Sequence, residues 1–181
     1  RLLVADENVP GGRRELAWHF ASRAECLLCH NQLYGTVNGF AAEQLGGSES
    51  EGQLHELIQL GLVRERSQPV RKTLANPQDS SASLADRARS YLHANCSHCH
   101  HQGGGGATVF DLYHHLPLKR TKLIDLEPAQ GHFGLDDARV VAPGDPYRSV
   151  LLYRMAKQGN GRMPHLGSRK LDPLGLKLMH E

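Results

Sequence analysis

Two short segments of the chain carry the same arrangement of two cysteines and a histidine. They are Cys26-Leu-Leu-Cys29-His30 and Cys96-Ser-His-Cys99-His100. Both fit the Cys-x-x-Cys-His pattern by which haem c is attached to proteins. Two thiols on one helical turn can each add to a vinyl group of one haem, and the adjacent histidine then lies below the iron. We therefore expect two covalently attached haem c groups, with thioethers at Cys26, Cys29, Cys96 and Cys99 and proximal ligands at His30 and His100.

Other uses of these cysteines fit less well. The chain has four cysteines, and the two motifs contain all of them. A zinc ribbon separates its cysteine pairs by about 15–20 residues, far less than the stretch between Cys29 and Cys96. A disulfide scaffold gives no reason for a histidine after both pairs, and a thioredoxin-like motif needs one pair beside a βαβ pattern. A zinc-binding interaction module is the main alternative to two haems.

The second haem needs a ligand on its distal face, and the candidate is Met163 in Gly161-Arg-Met163-Pro164. Glycine and proline beside it favour a loop, from which a thioether can reach the iron. The alternative is a methionine that only fills a gap in the core. Arg154 and Arg162 are candidates for pairing with haem propionates, although either can equally be a solvated side chain.

The distal ligand of the first haem is less well determined. His19, in Trp18-His19-Phe20, can fold back over the haem from its place before the first motif. Met155 is the runner-up, although its apolar neighbours also favour a role in the core. His55, another histidine, a ligand from a second molecule and an open site are further alternatives. His98 is expected to point away from the iron of the second haem, and the remaining histidines are interpreted as surface groups: His93, His101, His114, His115, His132, His165 and His180.

The composition and the elements predict a mainly α fold with two small haem-binding modules and long loops. The chain has 181 residues, of which 39% are hydrophobic and only 6% aromatic, so buried haems would add apolar material to a thin core. The first module is expected over residues 1–75 and the second over 83–181, with a linker at 76–82. Predicted helices are 51–60 before Gly61, one from Ser83 through Cys96 that the glycines at 103–106 end, one from Asp145-Pro146 to about Lys157, and one from Asp172-Pro173. Strand signals are weak, as at 138–142.

Charge and hydropathy argue against a nucleic-acid partner and against a membrane-spanning segment. The net charge of +2 indicates no nucleic-acid partner, and the sequence has no run of about 18 apolar residues that would span a membrane. The chain starts at Arg1 without a signal peptide, and its last predicted helix is short. We therefore expect a mature, trimmed or partial chain.

The residues around both motifs resemble a family. The segment 18–30 resembles the first attachment site of bacterial dihaem c-type cytochromes, and 91–100 resembles their second. Three later segments resemble the end of these proteins: 141–146, 149–155 and 162–167. The resemblance spans about residues 18–180. It implies a protein found alone or joined to quinoprotein sugar dehydrogenases, with a second module similar to class I cytochrome c in which Met163 is the ligand.

These observations predict a function in electron transfer rather than catalysis. We expect a relay between a donor and an acceptor, with a redox partner such as a dehydrogenase, or self-association of copies into a longer haem chain. If the first haem is His/His and the second His/Met, electrons run from the first to the second. The alternative is a dihaem peroxidase or oxidase with one five-coordinate haem. Because haem is attached outside the cytoplasmic membrane, a periplasmic or extracellular location is expected.

Overall fold

A computed structural model of the chain describes residues 1–31, 41–46, 52–64 and 72–181. Its described part contains six α-helices joined by long loops, together with one β-hairpin and two 3₁₀ turns. The helices are α1 (Arg23–Leu27), α2 (Gly52–Gln59), α3 (Leu84–Cys96), α4 (Leu118–Thr121), α5 (Val150–Ala156) and α6 (Pro173–His180). The 3₁₀ turns are Ala42–Gln44 and Pro146–Arg148.

The hairpin lies at the start of the chain, in a segment that has no strand signal in its sequence. Strands β1 (Leu2–Ala5) and β2 (Arg13–Leu16) pair antiparallel. Neither segment alternates apolar and polar residues, so period-two patterning could not reveal them. The weak strand signal at 138–142 corresponds to isolated bridges and not to a full strand: Ile124 pairs with Val141, and Arg139 pairs with Ser149.

Helix α3 carries the second motif and begins where the sequence predicts. The hydroxyl of Ser83 accepts a hydrogen bond from the backbone N–H of Asp86 at 3.1 Å, which caps the helix. The helix ends at Cys96, the first residue of the motif. A cap that is local in sequence therefore fixes the position of the first thiol.

The C-terminal part of the chain folds back onto α3. Asp172 caps α6 by accepting from the N–H groups of Leu174 and Gly175, as its position before Pro173 predicts. The Tyr91 hydroxyl donates to the other carboxylate oxygen of Asp172 at 2.9 Å. A Cβ on Gly175 would overlap the Tyr91 ring, so the glycine allows α6 to approach α3 closely.

The helix predicted from Asp145 to about Lys157 is interrupted. Asp145 caps the short 3₁₀ turn, and α5 starts only at Val150. Ser149 between them is extended, and its hydroxyl donates to the carbonyl oxygen of Asp145 at 2.9 Å. The Ala142 N–H also donates to this hydroxyl at 3.0 Å. A serine that bonds to nearby backbone competes with helix formation, which explains the break.

The main apolar core lies beside the second motif. Its buried members are Leu92, Leu112, Leu123 and Val140, and Cys96 packs against them. The first part of the chain contacts this region: the Ala75 N–H donates to the buried Ser90 hydroxyl at 2.9 Å. The division into modules 1–75 and 83–181 and the cytochrome c-like architecture stay predictions. Within the described ranges, every helix is too short or too polar to span a bilayer.

Candidate haem-binding site

The second motif continues α3 by one further turn. The backbone N–H groups of Cys99 and His100 both donate to the carbonyl oxygen of Cys96, at 3.2 and 2.9 Å. Ser97 retains helical dihedral angles, and its hydroxyl donates to the His93 carbonyl oxygen. The motif thus adopts the single helical turn that paired attachment of one haem requires.

An apolar cavity opens next to this turn. It encloses about 770 Å³ of empty space, its open mouth included, and it is bordered by Cys96, His100, Met155 and Met163. Residues far apart in the sequence therefore meet around one space, and they include a predicted attachment thiol and both predicted axial ligands. The rest of the wall is mainly apolar and includes Leu92, Phe110, Leu112, Leu126, Val140, Val150 and Leu151. An apolar wall with one imidazole and one thioether is a donor set that fits a haem iron.

The His100 ring is held in a defined orientation. Its Nδ1 lies 3.2 Å from the Thr108 hydroxyl oxygen, which itself donates to the Phe110 carbonyl oxygen at 3.4 Å. Thr108 therefore accepts from Nδ1–H, which leaves the lone pair of Nε2 for a metal. The ring also stacks on Phe110, with centroids 5.1 Å apart.

The protonation state of His100 also favours a role as a metal ligand. Burial, together with the smaller effect of the nearby Arg154 guanidinium, lowers the pKa of His100 to about 4. The imidazole is consequently neutral at pH 7, which is the form that binds iron. Burial also raises the pKa of the Cys96 thiol to about 11, so this thiol is protonated in the apolar wall.

The loop of four glycines after the second motif packs tightly around it. A Cβ on Gly106 would lie 2.6 Å from His100 Nδ1, and one on Gly104 would overlap the Cys99 carbonyl oxygen. A Cβ on Gly105 would overlap the carbonyl oxygen of Leu28, in the first motif. The sequence indicated only that these glycines end a helix. In the fold they also allow the two motifs to touch.

The first motif forms the same turn in a more open setting. The N–H groups of Cys29 and His30 donate to the Cys26 carbonyl oxygen at 3.2 and 2.9 Å. Helix α1 before it has a capping box, in which Ser22 and Glu25 bond to each other's backbone N–H groups. Cys26 and His30 are exposed and Cys29 is half-buried. This site thus has the backbone geometry for attachment without an enclosing wall in the described residues.

The candidate distal ligands of the first haem lie apart from one another. The Nε2 atom of His19 is bonded to the Glu25 carboxylate, at 2.9 and 3.0 Å from its two oxygens. The Ser22 backbone donor and His19 together lower the pKa of Glu25 to about 2. Met155 borders the cavity of the second motif, and His55 is on α2. The role of His19 stays a prediction.

Several histidines interpreted as surface groups are instead buried. His93, His101 and His114 are only 7%, 6% and 4% exposed. Rings of this region pack around Tyr113, whose centroid lies 5.6 Å from His93 and 5.5 Å from His101. The surface interpretation of these three histidines is wrong. His93 belongs to α3 and His101 to its continuation, and isolated polar residues in a sequence do not reveal which face of a helix other elements cover.

The two motifs meet at their second cysteines. The sulfur atoms of Cys29 and Cys99 are 2.7 Å apart, and a ring nitrogen of His98 lies within 4.8 Å of both. All four cysteines are within the described ranges, and none forms a disulfide. Burial, followed by the contact with Cys29, raises the pKa of Cys99 to about 12. Two haem sites in a chain of 181 residues are expected to lie near each other, but the sequence does not indicate that these two sulfur atoms meet, because that contact depends on how distant segments pack.

Comparisons with protein-family models, with curated proteins and with solved structures found no match to this chain. The functional proposal therefore depends on the chemistry of the two motifs and on the cavity beside the second.

Proposed function

We propose that the chain is a dihaem c-type cytochrome that transfers electrons. Cys26 and Cys29 would hold one haem and Cys96 and Cys99 the other, with His30 and His100 as proximal ligands. The observation that carries the proposal is the apolar cavity in which Cys96, His100 and Met163 meet. When bound, the haem supplies one-electron chemistry at iron, and the protein sets its potential through ligands, burial and hydrogen bonds.

The loop that presents Met163 is braced at several points, which supports a ligand role. The Met163 N–H donates to the Arg154 carbonyl oxygen at 2.9 Å, and Arg154 Nε donates to the Gly161 carbonyl oxygen at 2.8 Å. The Arg162 guanidinium bonds to the carbonyl oxygens of Ser168 and Lys170. Arg162 thus braces the loop instead of reaching the cavity, whereas Arg154 borders the cavity and is the better candidate for a propionate partner.

The contact between the motifs supports a relay. Because the Cys29 and Cys99 sulfur atoms are neighbours, groups attached through them would also be neighbours. The first site is the more exposed one, so we propose that it faces a redox partner such as a dehydrogenase or a second copy of the chain. A His/Met second haem has a higher potential than a His/His first haem, which directs electrons toward the second. Such a protein would be periplasmic or extracellular.

Intact-protein mass spectrometry tests the proposal directly. The protein, expressed with a haem-attachment system, should carry the mass of two haems. Cys96→Ser with Cys99→Ser should remove one of them, and Cys26→Ser with Cys29→Ser should remove the other. A soluble, folded protein without added tetrapyrrole would refute the proposal. The peroxidase alternative would require a five-coordinate haem in the spectrum and turnover with peroxide.

The cluster of Cys29, His98 and Cys99 favours a zinc module as the second candidate. Two sulfur atoms and one imidazole within 4.8 Å are suitable zinc donors. Zinc needs thiolates, however, and burial raises the pKa of Cys99, which opposes this use. A colourless purified protein with stoichiometric zinc would establish the zinc module over the cytochrome.

A further inference from the structure

We infer that His98, a residue of the second motif, is the distal ligand of the first haem, an inference that rests on the proposed function. All twelve histidines and all three methionines of the chain lie within the described ranges.

The three methionines of the chain contact the cavity of the second motif or the apolar core. Met155 and Met163 border the cavity of the second motif, and Met179 packs against the core. Neither the cavity wall nor the core contact places a methionine sulfur beside Cys29. The first haem therefore depends on an imidazole for a distal ligand from this chain.

Several histidines other than the two proximal ones are already engaged by other groups. The His93 Nδ1 accepts from the His114 N–H at 3.1 Å, inside the buried cluster around Tyr113. The His132 Nδ1 accepts from Gly134 N–H in its own loop. Others make ring contacts: His115 stacks on Tyr113, and His180 of α6 meets Tyr147 edge-on.

His19 and His165 border a shallow groove that also includes Trp18. His19 is nevertheless engaged by the Glu25 carboxylate through Nε2. Binding iron through that nitrogen would break a hydrogen bond to an ionised group, which is worth about 1.5–3 kcal/mol. This cost makes His19 a weaker candidate than its position in the sequence suggests.

His98 has the required position. One of its ring nitrogens lies within 4.8 Å of the Cys29 sulfur, which is one of the two atoms that would anchor the first haem. The residue is exposed and does not border the cavity of the second motif, so its side chain can turn toward a haem at Cys29 without unpacking the core. In the motif of the second haem, His98 thus occupies a position that its own haem does not use.

This ligation would join the two sites into one unit. The backbone between Cys96 and Cys99 would carry attachment atoms for the second haem and an axial ligand for the first. Folding of the second motif would then be needed to complete the first site. The first haem would be bis-His, which keeps its potential below that of the second haem.

The inference is tested by the visible and electron paramagnetic resonance spectra of holoprotein that carries His98→Ala. His132→Ala is the matched control at another exposed histidine, and His19→Ala tests the competing candidate ligand. Intact mass first establishes that each protein carries two haems; a wild type without haem would refute the proposed function itself. The expected result is that one of the two haems becomes high-spin in His98→Ala only, that the methionine-ligated haem is unchanged, and that added imidazole restores the low-spin signal. A doubly loaded His98→Ala protein with a wild-type spectrum, or a high-spin haem in His19→Ala instead, would overturn the inference and leave the cytochrome function intact.

Discussion

Thr108 offers a precise test of how the protein would tune the proposed second haem. Its hydroxyl accepts the hydrogen bond from His100 Nδ1–H at 3.2 Å. Thr108→Val keeps the side-chain shape and removes this acceptor. The imidazole then becomes less electron-rich, so it stabilises ferric iron less well and the potential of the second haem should rise.

The size of the shift follows from the strength of the hydrogen bond. A neutral hydrogen bond contributes about 1 kcal/mol net, and only the part that differs between ferric and ferrous iron affects the potential. For a one-electron couple, a tenfold change in equilibrium constant is about 59 mV, so about 1 kcal/mol corresponds to a ceiling of about 40 mV. The bond is long at 3.2 Å, and we expect about 20–40 mV.

A redox titration followed at the haem absorption bands measures this shift. Thr121→Val is the matched control, because Thr121 is 3% exposed, its hydroxyl donates to the Leu118 carbonyl oxygen at 2.6 Å, and it does not border the cavity. The control should lose about 1 kcal/mol of stability with both potentials unchanged. A potential of the second haem that stays constant or falls in Thr108→Val would refute the assigned orientation of His100.

Three further perturbations test the ligand and the scaffold. Met163→Ala should abolish the weak red absorption of sulfur ligation and lower one potential, whereas two unchanged potentials would refute Met163 as ligand. Tyr91→Phe removes the 2.9 Å bond to Asp172 and should lower the free energy of unfolding by about 1 kcal/mol in urea titrations; an unchanged midpoint would contradict this. Burial lowers the pKa of His93 and His114, so at mildly acidic pH the unfolded chain binds more protons than the folded chain. The free energy of unfolding should therefore fall as the pH drops below about 6.5, and level off below the pKa values of the folded state. His114→Phe should make this fall shallower, and equal urea midpoints at pH 5 and 7.5 in the wild type would refute the effect.

The features that the sequence predicted well are those that local chemistry determines. The start of α3 follows from one serine hydroxyl and one backbone donor, at Ser83 and Asp86. The start of α6 follows similarly from Asp172 before Pro173. Gly61, two residues after the end of α2 at Gln59, has a positive φ of 68°, as expected for a residue that ends a helix. Each interaction lies within a few residues, so the sequence pattern already contains it.

The features that the sequence did not predict depend on packing between distant segments. Nothing near Cys29 indicates that its sulfur will lie beside that of Cys99. Likewise, the burial of His114 depends on the elements that cover it. The break at Ser149 arises from competition between a helix and the hydroxyl's bonds to backbone, which propensity alone cannot decide.

The two proposed attachment sites differ in what stabilises them. The second is built on α3, a helix of 13 residues that packs against the main core, so its cavity can form from the protein's own contacts. The first is built on α1, which has five residues and none buried. So short a helix is unstable alone, and capping by Ser22 contributes only about 1 kcal/mol. Among the described residues, the glycine loop at Gly105 contacts the first motif and Cys99 contacts its Cys29, and the thioethers of the proposed haem would add further support. We therefore expect the second motif to fold through its own contacts with the core, and the first site to be completed by packing against it.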